Sequence, residues 1–333
     1  MRSNVKHKAL GGLRRVAILL LVVWTVVSLV TLLIELVPGD PAVAVLGEQA
    51  TAEQFAQFRQ KHGLDRPPFF FWFPEDSNGK RHFRWYGVNN RYTDYWRGLL
   101  HGDLGLSFRN DRPVVGLIFE RYPATLELAL VALLVCAAVG IPAGVLAAHR
   151  RGSGADRAVG FFTLFGLAIP NFALGPLLIL VFSIAIGLFP VSGRSGPLSF
   201  VLPAATMGVA LAAILTRMVR GAMLEELSSD YVRTARAKGL PERAVLFRHA
   251  FRNALIPIIT ILGLQFGTLL AGAIVTETIF AWPGLGRLTV QAISARDYPL
   301  LQGCILVVAV SYVLVNLFTD VLYAVVDPRV RLQ

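Results

Sequence analysis

Residues 230–257 read DYVRTARAKGLPERAVLFRHAFRNALIP, and the segments on either side are apolar enough to sit in a bilayer. Arg233, Arg236, Lys238, Arg243, Arg248, His249 and Arg252 stand against only Asp230 and Glu242. Ser228, Ser229 or Asp230 is placed to cap a helix running through Tyr231 to Lys238, which Gly239 then ends in a left-handed conformation. Pro241 suits the first turn of a second helix, and Glu242 favours the positive end of that helix. The second helix continues through Arg252 toward the next apolar run. The stretch thus predicts two short helices about a Gly-Leu-Pro turn, held between membrane spans. Such an element reads as a docking surface, or as a connector whose bases meet lipid headgroups.

The rest of the chain agrees with a membrane setting. Of its 333 residues, 55% are hydrophobic and 16% charged, against about 25% charged in soluble domains. Mean hydropathy is +0.59. The formal charge of +11 suits Lys and Arg gathered in cytoplasmic loops rather than a nucleic-acid surface. A bilayer core of about 30 Å needs about 20 apolar helical residues. Six runs answer to this: 16–34, 128–148, 158–193, 195–216, 253–276 and 298–319. The third exceeds one span, so it is a kinked helix or a helix plus a re-entrant piece. Its break is expected at Pro170, before Asn171, because proline removes a helix hydrogen bond and clashes with the preceding turn. Ala42-Val43-Ala44 loosely resembles a signal-peptide cleavage site. The first apolar run is longer than the about 7–15 residues of a signal core, so an uncleaved anchor is expected.

Charge orients the spans. With the N-terminus inside, the cytoplasmic pieces hold five, three, eight and two Lys or Arg, and the short external loops only Arg194, Arg287 and Arg296. The other 11 lie in the external segment between the first two spans, long enough to be largely exempt from the positive-inside rule. The expectation is an all-α polytopic membrane protein of six transmembrane helices, with both termini inside.

The external segment is nearly charge-balanced and rich in aromatics, as in PPFFFWF and RHFRWYGVNNRYTDYW. TAEQFAQFRQKHGL reads as a short helix capped by Thr51 and ended by Gly63, with Phe55 and Phe58 on one face. PEDSNGKR and GVNNRY read as turns. The aromatic cluster is either a small core or a belt at the headgroups.

No HExxH, GxSxG or Cys/His cluster occurs, so neither catalytic nor metal-ligating residues are assigned. Cys136 and Cys304 each sit inside an apolar run and imply neither a disulfide framework nor a metal site. A GxxxxGK[ST] phosphate loop is missing. The histidines lie outside the spans, with His149 and His249 at expected helix ends. Glu35, Glu127, Glu277 and Asp320 all fall near span ends and read as interfacial carboxylates rather than a proton relay. The spans look like a passive path that something else drives.

Residues 230–257 also resemble the coupling loop of membrane subunits of binding-protein-dependent ABC importers. In that loop a Glu-Ala-Ala triplet precedes a Gly at a fixed interval. Here Arg233, Thr234 and Ala235 precede Gly239, so Ala235 and Gly239 match, and Ile256-Pro257 lies further downstream. DYVRTARAKGL with HAFRNALIP is similar to the B-type permease of dipeptide, oligopeptide and nickel importers. So are PGDP (38–41), GDLGLSF (102–108), ETIFAWPGLGRL (277–288) and RDYPLLQG (296–303). These matches run in order over nearly the whole chain. The resemblance thins from Phe69 to Tyr95, where extra aromatic and charged residues enlarge the external segment.

The resemblance implies a non-catalytic permease subunit in a bacterial inner membrane, forming half of a path for di- or oligopeptides. Nickel, glutathione or another small solute is the alternative, and a stand-alone carrier or channel the rival. Implied partners are a second permease subunit, two ABC ATPase subunits that hold ATP and Mg, and an extracytoplasmic binding protein. The implied organisation is an N-tail and first span (1–36), an extracytoplasmic module (37–123), a permease core (124–326) containing the loop 225–252 between spans four and five, and a C-tail (327–333). ATPase coupling falls to Asp230, Tyr231, Val232, Arg233, Thr234, Ala235, Arg236, Ala237, Lys238, Gly239, Leu240 and Pro241, centred on Ala235 and Gly239. Arg233, Arg236 and Lys238 meet acidic ATPase residues or lipid phosphates. Asn171 and Gln265 are candidates for lining the pore, or equally for bonding helix to helix. Pro283, Gly284, Gly286, Asp297 and Tyr298 are candidates for docking the binding protein.

Overall fold

The computed structural model describes residues 2–36, 39–74, 80 and 82–326, with side chains from 17 to 319 and at 321. Pro38, most of the predicted PEDSNGKR turn, the Asp320 side chain and the C-tail 327–333 lie outside the described residues. The described chain is helical apart from one two-residue hairpin. Among the described residues five helices are long and apolar enough to cross a membrane, or six spans if one sharply bent pair counts as a single span. By packing, the chain divides into two compact units.

One unit comprises residues 16–123 and 284–310. It holds α1 (Arg2–Leu36) from residue 16 onward, α2 (Pro41–Leu46), α3 (Ala52–Lys61), the pair β1 (Phe71–Trp72) and β2 (Arg84–Trp85), and α4 (Arg91–Leu100). The beginning of α5 (Val114–His149), all of α12 (Leu285–Ser294) and the beginning of α13 (Tyr298–Val326) complete it. Local chemistry explains the short helices. Asp40 caps α2 by accepting from the Ala42 N–H at 2.9 Å, with Pro41 in the first turn. Thr51 and Gln54 cap α3 reciprocally, and the chain leaves it through Gly63 with Leu64 N–H returning to the Arg59 carbonyl at 2.8 Å. Asn90 caps α4 by accepting from the Thr93 N–H at 2.8 Å.

The aromatic segment divides between the two readings the sequence left open. Phe69 and Phe70 pack with Tyr92 against Val27, Leu104 and Leu300. Phe71, Phe73, Phe83 and Trp85 are exposed on the antiparallel pair, in which Phe71 faces Trp85 and Trp72 faces Arg84.

The other unit comprises residues 1–15, 124–283 and 311–333. After α5 come α6 (Gly154–Ala168), α7 (Asn171–Leu178) with a π-helical extension (Ile179–Ala185), and α8 (Val201–Leu227). Then follow α9 (Asp230–Ala237), α10 (Glu242–Ala244), a π-helical turn (Val245–Ala250) and α11 (Phe251–Ile279). The break in the third apolar run falls at Pro170, as predicted, and α6 and α7 meet there at 101°. Ile169 is extended, at φ −91° and ψ 114°, as the residue before a proline prefers. The helices approach closely through small residues. A Cβ on Gly144 of α5 would lie 2.6 Å from Val219 Cβ and 2.8 Å from the Thr216 carbonyl of α8.

Two sequence expectations are corrected here. Glu277 is fully buried and accepts from the Thr125 hydroxyl at 2.6 Å, so it is a packed carboxylate rather than an interfacial one. Its end-of-span position hid the turn that follows, where Trp282 is also fully buried and donates from its indole N–H to the Ala124 carbonyl at 2.9 Å. His249 does not end a helix: it lies in the π-helical turn that runs on into α11. Glu35 and Glu127 are ion-paired, with Arg91 and Arg194 respectively, each at 2.5 Å.

Candidate coupling site

Between α8 and α11 the predicted helix–turn–helix is present. The Ser229 backbone occupies the cap position of α9, but its hydroxyl donates back to the Glu226 carbonyl at 2.6 Å and caps nothing. Gly239 takes φ +75°, and its N–H returns to the Arg236 carbonyl at 2.9 Å. That left-handed conformation is open to Gly and costly for residues with a Cβ. Pro241 stands at the cap of α10, one position earlier than expected, and its carbonyl accepts from the Ala244 N–H at 2.8 Å.

Val232 and Ala235, three residues apart on α9, are buried at 0% and 5% exposure among Val219, Met223, Val245 and Leu246. They anchor the element. Ala235 is therefore a packing residue, because the helical period places it on the same buried side of α9 as Val232. The other ten positions assigned to coupling are exposed. Tyr231 donates to the Glu226 carboxylate. Burial, then the Glu226 carboxylate, pushes the Tyr231 phenol upward.

Arg236 is not a free base. Its Nε donates to Glu242 Oε2 at 3.1 Å and its Nη2 to Oε1 at 2.7 Å, a two-pronged bridge across the Gly239–Pro241 turn. This bridge raises the Arg236 pKa further. Arg233 reaches Asp230 at 3.5 Å, with both side chains mostly in solvent. The structure adds residues that the motif did not contain. Pro241, Arg243, Ala244, Phe247 and Arg248 line an open depression of about 490 Å³, with Phe247 53% exposed. An exposed Phe between Arg243 and Arg248 was the available signal in the sequence.

The remaining assigned residues are scattered. Asn171 is half-buried at the start of α7. Gln265 is 5% exposed, donates to the Leu211 carbonyl at 3.0 Å and lies 3.1 Å from Cys136 Sγ, so the helix-to-helix alternative is the one its geometry supports. Among the expected docking residues, Gly284, Gly286 and Asp297 are buried, while Pro283 and Tyr298 are half-buried. Asp297 is 1% exposed and accepts from the Ser107 hydroxyl at 2.5 Å and the Phe108 N–H at 3.0 Å. It organises the GDLGLSF loop.

The exposed helix–turn–helix thus lies between two helices long and apolar enough to cross a membrane. Residues 140–332 match the family model for binding-protein-dependent transport system inner membrane components, and residues 12–129 match the model for the N-terminal part of such components. The chain belongs to this family of inner membrane transport components. It is 42% identical, over 90% of its length and 91% of the relative's, to the dipeptide transport system permease protein DppB of Escherichia coli (strain K12). It is 41% identical to the glutathione transport system permease protein GsiC of Escherichia coli O6:H1 (strain CFT073), over 91% of this chain and 92% of that one. Among solved structures it resembles a chain of the inward-facing MetNI methionine ABC transporter. The TM-score is 0.55 and the identity 20%, over 63% of this chain and 96% of that chain. That likeness is one of fold.

Proposed function

We propose that this chain is the permease subunit of an ATP-driven importer and forms half of a path for di- and oligopeptides brought by an extracytoplasmic binding protein. The observation that carries the reading is the helix–turn–helix at 230–250. It is anchored by Val232, Ala235, Val245, Leu246 and Ala250, braced by Arg236 and Glu242, and exposed along 236–243 and at Phe247 and Arg248. A plain connector needs no such rigidity. The relatives named for dipeptide and glutathione transport support a peptide substrate over nickel.

On this reading there are six spans with both termini inside, the bent α6–α7 pair supplying one of them. Residues 37–123 form the extracytoplasmic module, 124–326 the permease core with its coupling loop at 225–252, and 1–36 and 327–333 the anchor and C-tail. A second permease subunit completes the path, and two ATPase subunits bind ATP and Mg. The exposed coupling residues and the Phe247 depression sit against an ATPase subunit, whose closure shifts the population of two permease states.

Reconstitution with the ATPase and binding-protein subunits, measuring ATP hydrolysis against dipeptides, longer peptides, glutathione and Ni²⁺, tests the proposal. Peptide-stimulated hydrolysis with peptide uptake is expected. Stimulation by Ni²⁺ alone, or uptake that needs no ATP, overturns it.

A further inference from the structure

The hairpin β1–β2 belongs to the stretch where the resemblance to importers thins, and it has an unfilled apolar partner. Between β1 and the outer half of α1 lies a groove of about 880 Å³. Trp24, Leu29, Leu32 and Leu36 form one wall, and Phe71 and Phe73 the other. All six side chains are at least 42% exposed. Such a volume is in the range of about 300–1,000 Å³ that holds small ligands.

Two of the polar side chains bordering the groove are already engaged within the protein. The Ser28 hydroxyl donates to the Trp24 carbonyl at 2.7 Å and lies 2.8 Å from the Tyr92 hydroxyl. Glu35 is paired with Arg91. What the groove presents to an occupant is therefore mainly hydrocarbon and aromatic surface.

Three features select the occupant. The α1 wall belongs to a segment, Ala17–Leu36, apolar and long enough to span a bilayer, so whatever hydrocarbon bathes that span is continuous with the groove. From Trp24 to Leu36 the helix rises about 18 Å, a little more than one leaflet of a hydrocarbon core about 30 Å thick. Beyond the groove, Phe83 and Trp85 extend the exposed aromatic face, and Lys80 and Arg84 are exposed beside them. Aromatic rings with adjacent cations are the composition of a segment at the level of anionic headgroups.

We propose that this groove binds a phospholipid acyl chain, and that the paired strands β1 and β2, with Phe73 and Phe83, form an arm inserted in the leaflet next to the C-terminal end of α1. The arm clamps lipid against the span. An extracytoplasmic module tethered to the chain at its ends thereby gains a second attachment to the membrane.

The test uses the assembled transporter in lipid nanodiscs containing phosphatidylglycerol, with Cys136 and Cys304 replaced by Ala. Spin labels are placed singly at Leu32→Cys in the groove, Phe73→Cys on its wall and Phe83→Cys on the arm. Leu33→Cys, 51% exposed on α1 and outside the groove, marks the exposed face of that helix, and Glu48→Cys an aqueous loop. Collision rates are read with oxygen, which partitions into lipid, and with a water-soluble nickel chelate. The proposal expects oxygen-to-nickel ratios at the three positions as high as at Leu33 and several-fold above Glu48. Nickel-dominated collisions at Phe73 and Phe83 would mean an aqueous arm and overturn it. Positions reached by neither reagent would mean a protein partner in the groove and overturn it equally. A ratio at Leu33 as low as at Glu48 would remove the lipid-facing span and the proposal with it.

Discussion

Asp297 and Ser107 are 190 positions apart in sequence, yet the Ser107 hydroxyl donates to the Asp297 carboxylate at 2.5 Å with both residues buried. The same carboxylate takes the Phe108 N–H at 3.0 Å and the Arg109 N–H at 3.3 Å. One side chain thus satisfies a hydroxyl and two successive backbone N–H groups of the loop. Removing it as Asp297→Ala strands these donors, at about 1–3 kcal/mol each when a buried donor loses its partner. A drop of several degrees or more in thermal unfolding of the purified complex is expected, with a smaller drop for Asp297→Asn, which keeps one acceptor. An unchanged melting temperature for Asp297→Ala would return this residue to the docking surface.

Gly239 tests the coupling turn. A Cβ there meets open space but must adopt φ +75°, which costs about 1–2 kcal/mol for an ordinary L-residue. Gly239→Val is expected to insert into the membrane normally yet lose peptide-stimulated ATP hydrolysis and uptake. Deletion of 233–238 is expected to do the same. Wild-type uptake in vesicles after either change counts against a coupling role.

The Arg236–Glu242 bridge is 42% and 45% exposed, so its worth for global stability is only about 0.2–1 kcal/mol. Its effect belongs to the angle between α9 and α10. Arg236→Glu alone is expected to uncouple ATP hydrolysis from uptake, and the exchange Arg236→Glu with Glu242→Arg to recover much of the coupling. Failure of the exchange to rescue, with both proteins folded, would mean that Arg236 acts through another partner.

The approach of α5 to α8 predicts a position-specific sensitivity. Gly144→Leu forces side chain onto Val219 and the Thr216 carbonyl, an overpacking usually worth about 1–3 kcal/mol. Gly160→Leu, whose Cβ meets nothing within 4 Å, serves as the tolerant comparison. Thermal unfolding in detergent should separate the two variants clearly.

His62 predicts a pH effect on the unit that holds α3. Its ring lies 4.5 Å from that of Phe58 and 4.8 Å from that of Phe108. Burial first, and Lys61 second, push its pKa below the ordinary value, against the pull of Asp111 and Asp297. The folded chain thus prefers the neutral ring, while the unfolded chain protonates near pH 6.5. Stability is held above that pH and declines as pH falls below it toward the depressed folded value. A melting temperature that falls between pH 7 and pH 5 in the wild type, with a shallower slope in His62→Phe, is the expected result.

Much of this architecture is readable in local pattern. Thr51, Asn90, Pro170, Gly239 and Pro241 act on backbone within one turn of themselves, so the helix starts, the break at 101° and the left-handed turn follow from neighbours in sequence. Apolar length and the distribution of Lys and Arg likewise need no fold to be seen. Residues that act through distant partners were not readable. Asp297 looked like a surface acid until the loop at Ser107 closed on it. Glu277 looked interfacial until Thr125 met it.

By itself the sequence determined a helical membrane chain with a helix–turn–helix broken at Gly239 and Pro241, because hydrophobic length, Gly and Pro are local properties. Only the tertiary structure decided which face of that element is free. Val232 and Ala235 are turned into the core, Arg236 is taken by Glu242, and Phe247 is left outside. It also divided the aromatic segment into half-buried Phe69 and Phe70, packed on the core, and exposed Phe71, Phe73 and Phe83. Burial is set by which segments meet in space, and a residue's type alone does not carry that.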